Sequence, residues 1–261
     1  MIWLNRQPAA RKRRYALLVA HGSPSFPRTP ESQLQALAQT VESRLEDWQL
    51  EAATLATPAA LATALARFPR TADVFVYPLF ISDGWFVSHE LPRQLRDWQE
   101  ATRFRGPRLT LLQPLGLEPA LPALCLRRGE QAARAQGWRV EDCRLIIAAH
   151  GSTRDRRPRV QIERLARQLM MKGRFKEVDY GFLDQAPLLR RKNFRAARSL
   201  TLIFFAGAAA HVCKDLPDIF AAQGYQGPCV GPLGEDPALP ALLAASLRHQ
   251  AKENAVWGQT L

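Results

Sequence analysis

Short apolar runs alternate along the chain with segments whose apolar residues recur at helical spacing. The runs have the length of buried strands, and they cover residues 15–20, 74–80, 109–112, 144–149 and 202–205. One helical stripe follows the capping pair Thr29-Pro30 and contains Leu34, Leu37, Ala38, Val41, Leu45 and Trp48. Another contains Ile162, Leu165, Ala166 and Leu169. This alternation predicts an α/β fold in which parallel sheets are flanked by helices.

The two halves of the chain repeat the same motifs in the same order. The matching segments are residues 21–23 with 150–152, 91–92 with 216–217, and 114–124 with 232–242. The third match has nine identities in eleven positions, and the offset falls from 129 to 125 to 118, as short deletions in one copy produce. We therefore expect two homologous lobes: residues 1–136, with a basic tail at 1–14, and residues 137–261.

A His-Gly-Ser triplet follows the first predicted strand of each lobe. Ligands of parallel sheets bind beyond the carboxyl ends of the strands, so His21 and His150 lie where function is usually found. His211 also follows an apolar strand, and the small residues at 206–210 would let a large flat ligand approach the backbone. Taken alone, this last segment is better explained as a tight turn packed under a helix.

The neighbouring residues exclude several other functions that use similar motifs. Histidine phosphatases carry Arg directly before His-Gly, where this chain has Ala20 and Ala149. The chain contains neither the Gly-x-Ser-x-Gly elbow of serine hydrolases nor a glycine-rich nucleotide loop. His89-Glu90 is similar to the start of a zinc-binding His-Glu-x-x-His motif, but Arg93 occupies the position of the second histidine.

A strand ending in His-Gly-Ser, followed about 60 residues later by a strand and His-Val-x-x-Asp-Leu-Pro, resembles the class II tetrapyrrole chelatases. The similarity is greatest to the sirohydrochlorin cobalt- and iron-chelatases of the CbiX type. In the second lobe the matching segment is residues 205–217, which contains His211. In the first lobe residues 80–92 follow the same pattern, with Phe86 at the position of that histidine. The resemblance covers nearly the whole chain.

The resemblance implies that His150 and His211 are the catalytic and metal-binding residues. They would bind the incoming Co²⁺ or Fe²⁺ and help to remove pyrrole protons, in a cleft between the lobes. Imidazole binds first-row metals well, and its pKa of about 6.5 lets it exchange protons near neutral pH. The implied activity is insertion of the metal into sirohydrochlorin, in cobalamin or siroheme biosynthesis. The metal is then a substrate, and no tightly bound cofactor is expected.

The first lobe departs from the family pattern. Because Phe86 replaces a histidine, we expect one metal centre, in the second lobe, with Phe86 stacking on the macrocycle from the opposite wall. His21 and Ser23 would line the substrate cleft. Ala209 replaces the glycine that usually lies two residues before the second histidine. The accessory candidates for metal delivery or proton transfer are His89 and Glu90.

The charge of the chain agrees with an anionic tetrapyrrole partner. Lys and Arg number 36 against 24 Asp and Glu, a net charge of +12, and 30 of the 36 are arginines. Arginine binds carboxylates through two parallel hydrogen bonds, so we expect Arg154 and Arg156 to contact the substrate. We also expect the amides of Gly151 and Ser152, at a helix start, to bind a carboxylate. A second arginine cluster at 190–198 is more typical of a solvated helix face.

Cysteines and apolar runs indicate the compartment. Four scattered cysteines without Cys-x-x-Cys spacing favour reduced thiols in the cytoplasm. No apolar run reaches the roughly 20 residues that a membrane span needs.

We expect a monomer or homodimer, since one chain supplies both walls of the cleft. The alternatives are a non-catalytic tetrapyrrole- or metal-binding protein of the same fold and a nucleic-acid-binding protein, for which the chain has no recognition module.

Overall fold

The computed structural model describes residues 13–23, 28–194, 198–206 and 214–257. Its strands are β1 (Arg14–Ala20), β2 (Trp48–Thr54), β3 (Asp73–Pro78), β4 (Arg108–Leu111), β5 (Arg144–Ala149), β6 (Glu177–Phe182), β7 (Ser199–Ile203) and β8 (Cys229–Val230). Its α-helices are α1 (Arg28–Glu42), α2 (Ala60–Leu65), α3 (Leu91–Ala101), α4 (Leu121–Ala135), α5 (Arg157–Met171), α6 (Leu216–Ala222) and α7 (Leu239–Trp257). A π-helical turn, Phe86–Glu90, leads directly into α3.

The described strands form two four-stranded parallel sheets of the same topology. Their orders are β2-β1-β3-β4 in the first lobe and β6-β5-β7-β8 in the second. Leu17 pairs with Val76 in the first sheet, and Ile146 pairs with Thr201 in the second, so β3 and β7 are related by the offset of 125. The α/β fold with two homologous lobes, predicted from the sequence, is confirmed.

The edge strands differ from the expectation more than the central ones. The pattern of apolar residues does not predict β2, β6 or β8, because β2 and β6 interleave polar residues and β8 has only two residues. Trp48, expected on the first helical stripe, instead opens β2. The chain reverses at Asp47, with a φ of 60°, and the Trp48 ring is buried with the Arg14 guanidinium 5.7 Å from its centroid.

The last helix of each lobe packs against the sheet of the other lobe. Helix α4 lies on β7 and β8. A Cβ added at Gly129 of this helix would be 2.9 Å from the ring of Phe175, which precedes β6. Helix α7 lies on the first lobe, where the hydroxyl groups of Ser246 and Tyr77 are 3.1 Å apart. The two lobes are therefore joined by an exchange of helices.

This exchange merges the inner faces of the two sheets into one hydrophobic core. Leu18 of β1, Ile147 of β5, Leu124 of α4 and Leu243 of α7 all belong to this core. The outer faces have smaller cores of their own, the first covered by α2 and α3 and the second by α6. Each sheet needs a helix from the other lobe to complete its inner layer.

Two further features concern thiols and membranes. Cys125, Cys143 and Cys229 are free thiols, while Cys213 lies outside the described residues. Burial in the shared core raises the pKa of the Cys125 thiol to about 12, so it is protonated at neutral pH. Within the described ranges, no helix combines the length and the apolar character that crossing a bilayer requires.

Truncating a core residue of α4 is expected to destabilise both lobes together. Leu124→Ala removes a side chain that is 1% exposed, which should lower the free energy of unfolding by about 2–5 kcal/mol. Urea unfolding followed by tryptophan fluorescence and by circular dichroism should give one coincident transition. Arg127→Ala, an exposed position on the same helix, is the control and should change stability by less than about 0.5 kcal/mol. Two separate transitions would contradict a shared core.

Candidate active site

The two His-Gly-Ser triplets lie at the carboxyl ends of the central strands β1 and β5. The Nδ1 atom of His21 is 3.0 Å from the Gly22 carbonyl oxygen, and that of His150 is 3.2 Å from the Gly151 carbonyl oxygen. The φ angles of these glycines are 77° and 79°, in the left-handed region that favours glycine. The same sharp turn thus places both histidines at the sheet edge, with Ser23 half-buried beyond the first.

A carboxylate lies beside His150. The Oδ2 atom of Asp184 is 3.5 Å from His150 Nδ1, and the side chain of His150 is 43% exposed. Asp184 follows the edge strand β6, and its backbone N–H donates to the His150 carbonyl oxygen at 3.1 Å. The ring of Phe205, after β7, is 6.3 Å from the imidazole. An imidazole and a carboxylate together are donors that suit a divalent first-row metal.

Aromatic residues surround the corresponding histidine of the first lobe. The ring centroid of Phe86 is 4.3 Å from that of His21, in an edge-to-face arrangement. Phe80 stacks on the same Phe86 ring at 6.1 Å. The Phe86 side chain is nevertheless 36% exposed. The first lobe therefore presents an aromatic wall after β3, whereas the carboxylate beside His150 in the second lobe follows the edge strand β6.

Part of the expected site lies outside the described residues. His211, Ala209 and Arg195 belong to this part of the chain. Among the residues that are described, no three His, Cys, Asp or Glu side chains are grouped as ligands for a metal ion.

Two arginines near His150 face solvent. Arg154 and Arg156 are exposed, and no ion pair found in the described part of the chain involves either of them. Their guanidinium groups are thus placed to meet an anionic ligand from solution. Arg157, their neighbour, is instead paired with Asp155.

The Gly151-Ser152 segment is a turn, and the expected helix start at these residues is wrong. Helix α5 begins only at Arg157, since the side chain of Ser152 first caps a turn by accepting the N–H of Asp155 at 3.1 Å. The N–H of Ser152 itself donates to the Gln185 side chain at 3.2 Å. A ligand carboxylate would have to replace Gln185 to bind this amide.

The accessory candidates lie in the π-helical turn. Nδ1 of His89 is 2.7 Å from the Ser88 hydroxyl group. The Glu90 carboxylate accepts hydrogen bonds at 2.7 Å from Arg93 and from Gln94. These hydrogen bonds, those from Arg93 foremost, lower the pKa of Glu90 below its usual value. Glu90 is therefore ionised at neutral pH and already held by residues of its own helix.

Sequence reasoning missed a set of contacts that joins the two lobes beside the histidines. Asp155 binds the Arg157 guanidinium, with Oδ1 3.0 Å from Nε and Oδ2 2.8 Å from Nη2, and its carboxylate lies beside Gly84 of the other lobe, where an added Cβ would be 3.4 Å from Oδ2. The Nη1 of Arg157 donates to the Ser88 hydroxyl at 2.8 Å. Hydrogen bonds from Arg157 hold the pKa of Asp155 below its usual value. We call Asp155 and Arg157 the interlobe clamp.

Comparison with known proteins shows the family. The sequence profile of the CbiX family matches the chain twice, over residues 15–132 and 144–250. The chain belongs to the CbiX family. The resemblance to CbiX-type chelatases indicated by the motifs is confirmed, and each lobe carries one copy of the family's unit.

Individual relatives agree with this assignment. A curated protein of Halobacterium salinarum, named probable sirohydrochlorin cobaltochelatase, is 24% identical over 166 residues. The match spans 56% of this chain and only 56% of that relative's length. A solved structure of CbiX, described as the terminal enzyme for siroheme biosynthesis in denitrifying bacteria, is 36% identical, with a TM-score of 0.78 over 90% of this chain and 99% of that one. SirB from Bacillus subtilis with Fe³⁺, 15% identical, shares the fold with a TM-score of 0.74 over 94% of this chain and 98% of its own.

The turn after β5 is expected to require glycine. The φ angle of Gly151 is 79°, which is strained for alanine. A Cβ added there would also lie 2.9 Å from the Cβ atoms of Phe182 and Gln185, so Gly151→Ala combines backbone strain with a clash. We expect it to lower the free energy of unfolding by about 2–4 kcal/mol in urea titrations. Gly173→Ala, with a φ of 62° but nothing within 4 Å, isolates the backbone term and should cost about 1 kcal/mol. Equal losses of unfolding free energy in Gly151→Ala and Gly173→Ala would rule out a contribution from the clash.

Proposed function

We propose that this protein inserts a divalent metal, Co²⁺ or Fe²⁺, into sirohydrochlorin, with His150 and His211 binding the metal. Membership of the CbiX family supports the reaction. Two relatives also support it, a probable sirohydrochlorin cobaltochelatase and a CbiX described as the terminal enzyme for siroheme biosynthesis. The metal is a substrate in this reaction.

The observation that carries the two-histidine site is the contact between His21 and Phe86. The offset between the lobes is 125 at the paired strands β3 and β7, and it is again 125 at Leu91 and Leu216. Phe86 lies between these points, so its counterpart in the repeat is His211. Because the Phe86 ring lies 4.3 Å from that of His21, the repeat supports our proposal that His211 acts together with His150 on the metal.

The chemistry of insertion fits the residues around His150. The macrocycle must lose two pyrrole protons while the metal sheds part of its hydration shell. A neutral imidazole binds the metal or accepts a proton, and imidazolium would be stabilised by the carboxylate of Asp184, 3.5 Å from Nδ1. One pair of side chains therefore serves both metal delivery and proton removal.

We assign substrate-binding residues to both lobes, at the carboxyl ends of their strands. Arg154 and Arg156, exposed in the segment that follows His150, would bind rim carboxylates of the macrocycle, and Gly151 and Ser152 would contribute backbone amides, that of Ser152 once the carboxylate has displaced Gln185. On the first lobe, Phe86 would stack on the ring, with His21 and Ser23 beside it. A monomer suffices for this arrangement, and a homodimer remains compatible with it.

The insertion reaction tests this function directly. The full chain is mixed anaerobically with metal-free sirohydrochlorin and Co²⁺, Fe²⁺ or Ni²⁺, and the macrocycle absorbance is followed. We expect an accelerated rate, and we expect His150→Ala and His211→Ala each to lower it at least about 100-fold, because metal binding and proton transfer are both lost. His249→Ala, an exposed histidine paired with Glu253 on α7, should leave the rate unchanged.

The same experiment separates the alternatives. Tight macrocycle binding without accelerated insertion would indicate a non-catalytic tetrapyrrole-binding protein, which the replacement of a first-lobe histidine by Phe86 also favours. A steeply salt-dependent affinity for generic DNA, with no macrocycle binding, would indicate a nucleic-acid-binding protein. Either result would overturn the proposed activity.

We expect Asp184 to increase the rate of metal insertion by stabilising the imidazolium of His150. Asp184→Asn keeps the size of the side chain but removes its charge, and should lower kcat/KM for insertion about 10-fold. Asp142→Asn is the matched control. It removes a carboxylate, paired with Arg198, at the opposite end of the strand that leads to His150. Unchanged kinetics for Asp184→Asn would show that the 3.5 Å contact has no catalytic role.

A further inference from the structure

Trp85 is a large apolar side chain left half exposed at the sheet edge that carries His21. Its side chain is 50% exposed, and its ring packs edge-to-face on Phe86 at 5.2 Å. The Phe86 ring in turn packs against the rings of His21 and Phe80. Burial of an indole is strongly favourable, so a rigidly supported, exposed tryptophan indicates a surface that a ligand covers.

The interlobe clamp determines where this tryptophan lies. The Asp155 carboxylate lies against the backbone directly before Trp85, with Oδ2 3.4 Å from a Cβ placed on Gly84. Arg157 binds Asp155 and reaches Ser88, two residues beyond Phe86. Asp155 and Arg157 of the opposite lobe thus contact the turn that carries both aromatic rings at two points, Gly84 and Ser88.

We propose that the Trp85 indole contacts the edge of the planar macrocycle, nearly perpendicular to the Phe86 ring that stacks on its face, and that Asp155 and Arg157 are positioning residues that hold Trp85 in place. This inference rests on the proposed function and adds a substrate contact and its support. The geometry points to a flat aromatic ligand, because the indole adjoins the aromatic wall formed by Phe86. The ligand is also anionic, because the exposed Arg154 and Arg156 belong to the loop that carries the clamp.

Kinetics separate substrate binding by Trp85 from metal chemistry at His150. Trp85→Leu should raise KM for sirohydrochlorin about five- to ten-fold and leave kcat nearly unchanged, because the aromatic contact stabilises the bound substrate and the transition state alike. Trp85→Phe should recover most of the loss. Phe104→Leu, which removes an aromatic ring that is 72% exposed beyond the far end of α3, is the control. An unchanged KM in Trp85→Leu would overturn the proposal.

A double-mutant cycle tests whether the clamp acts through Trp85. Asp155→Asn should raise KM severalfold in the wild-type background but have little effect in Trp85→Leu, where the ring that it positions is gone. Arg157→Lys keeps the charge but loses the two-point pairing, and it should behave in the same way. Equal effects of Asp155→Asn and Arg157→Lys in both backgrounds would show a general structural role and overturn the positioning role.

Direct binding distinguishes failure of this inference from failure of the proposed function. Metal-free sirohydrochlorin, titrated without metal, should quench the tryptophan fluorescence of the wild-type chain. The quenching should be smaller in Trp85→Phe, with a similar dissociation constant. Wild-type binding with quenching unaltered in Trp85→Phe would overturn the contact between Trp85 and the macrocycle alone. No binding by the wild-type chain would overturn the proposed function and this inference together.

Discussion

The exchange of α4 and α7 between the lobes is the constraint on which the rest of the molecule depends. Each inner sheet face is covered in part by a helix of its own lobe, α1 or α5, and in part by a helix from the other lobe, so the two sheets share one core. A close-packed core does not deform gradually, and the two sheet edges therefore keep a fixed relation. The residues that follow β1, β3, β5 and β6 are presented on a rigid frame.

The sequence predicts the central strands and the repeat well. Residues 16–19 of β1 and 145–149 of β5 are buried on both faces, so they appear as continuous apolar runs. The edge strand β6 is different, because its solvated face carries Glu177 and Asp179 and the apolar signal is interrupted. Trp48 fits a helical stripe by spacing alone, and only its packing against Arg14 and β1 shows that it belongs to a strand.

The site is predictable only where a strand end fixes it. His21 and His150 are found from the sequence because a glycine turn after a buried strand places a side chain at the ligand-binding edge. Asp184 follows an edge strand with a weak signal, and its approach to His150 depends on the register between β5 and β6. The pattern of apolar residues gives no sign of the interlobe clamp, because Arg157 and Ser88, which it joins, come from non-equivalent positions of the two lobes.

The pairing of Phe86 with His21 shows what a covalent duplication makes possible. In a symmetric homodimer every substitution occurs at both equivalent positions, so an aromatic residue gained on one wall of a cleft is a ligand lost from the other. In a single chain with two lobes, position 86 and position 211 mutate independently. The cleft can thus acquire two different sides, and evolution can select one for holding a ring and the other for chemistry.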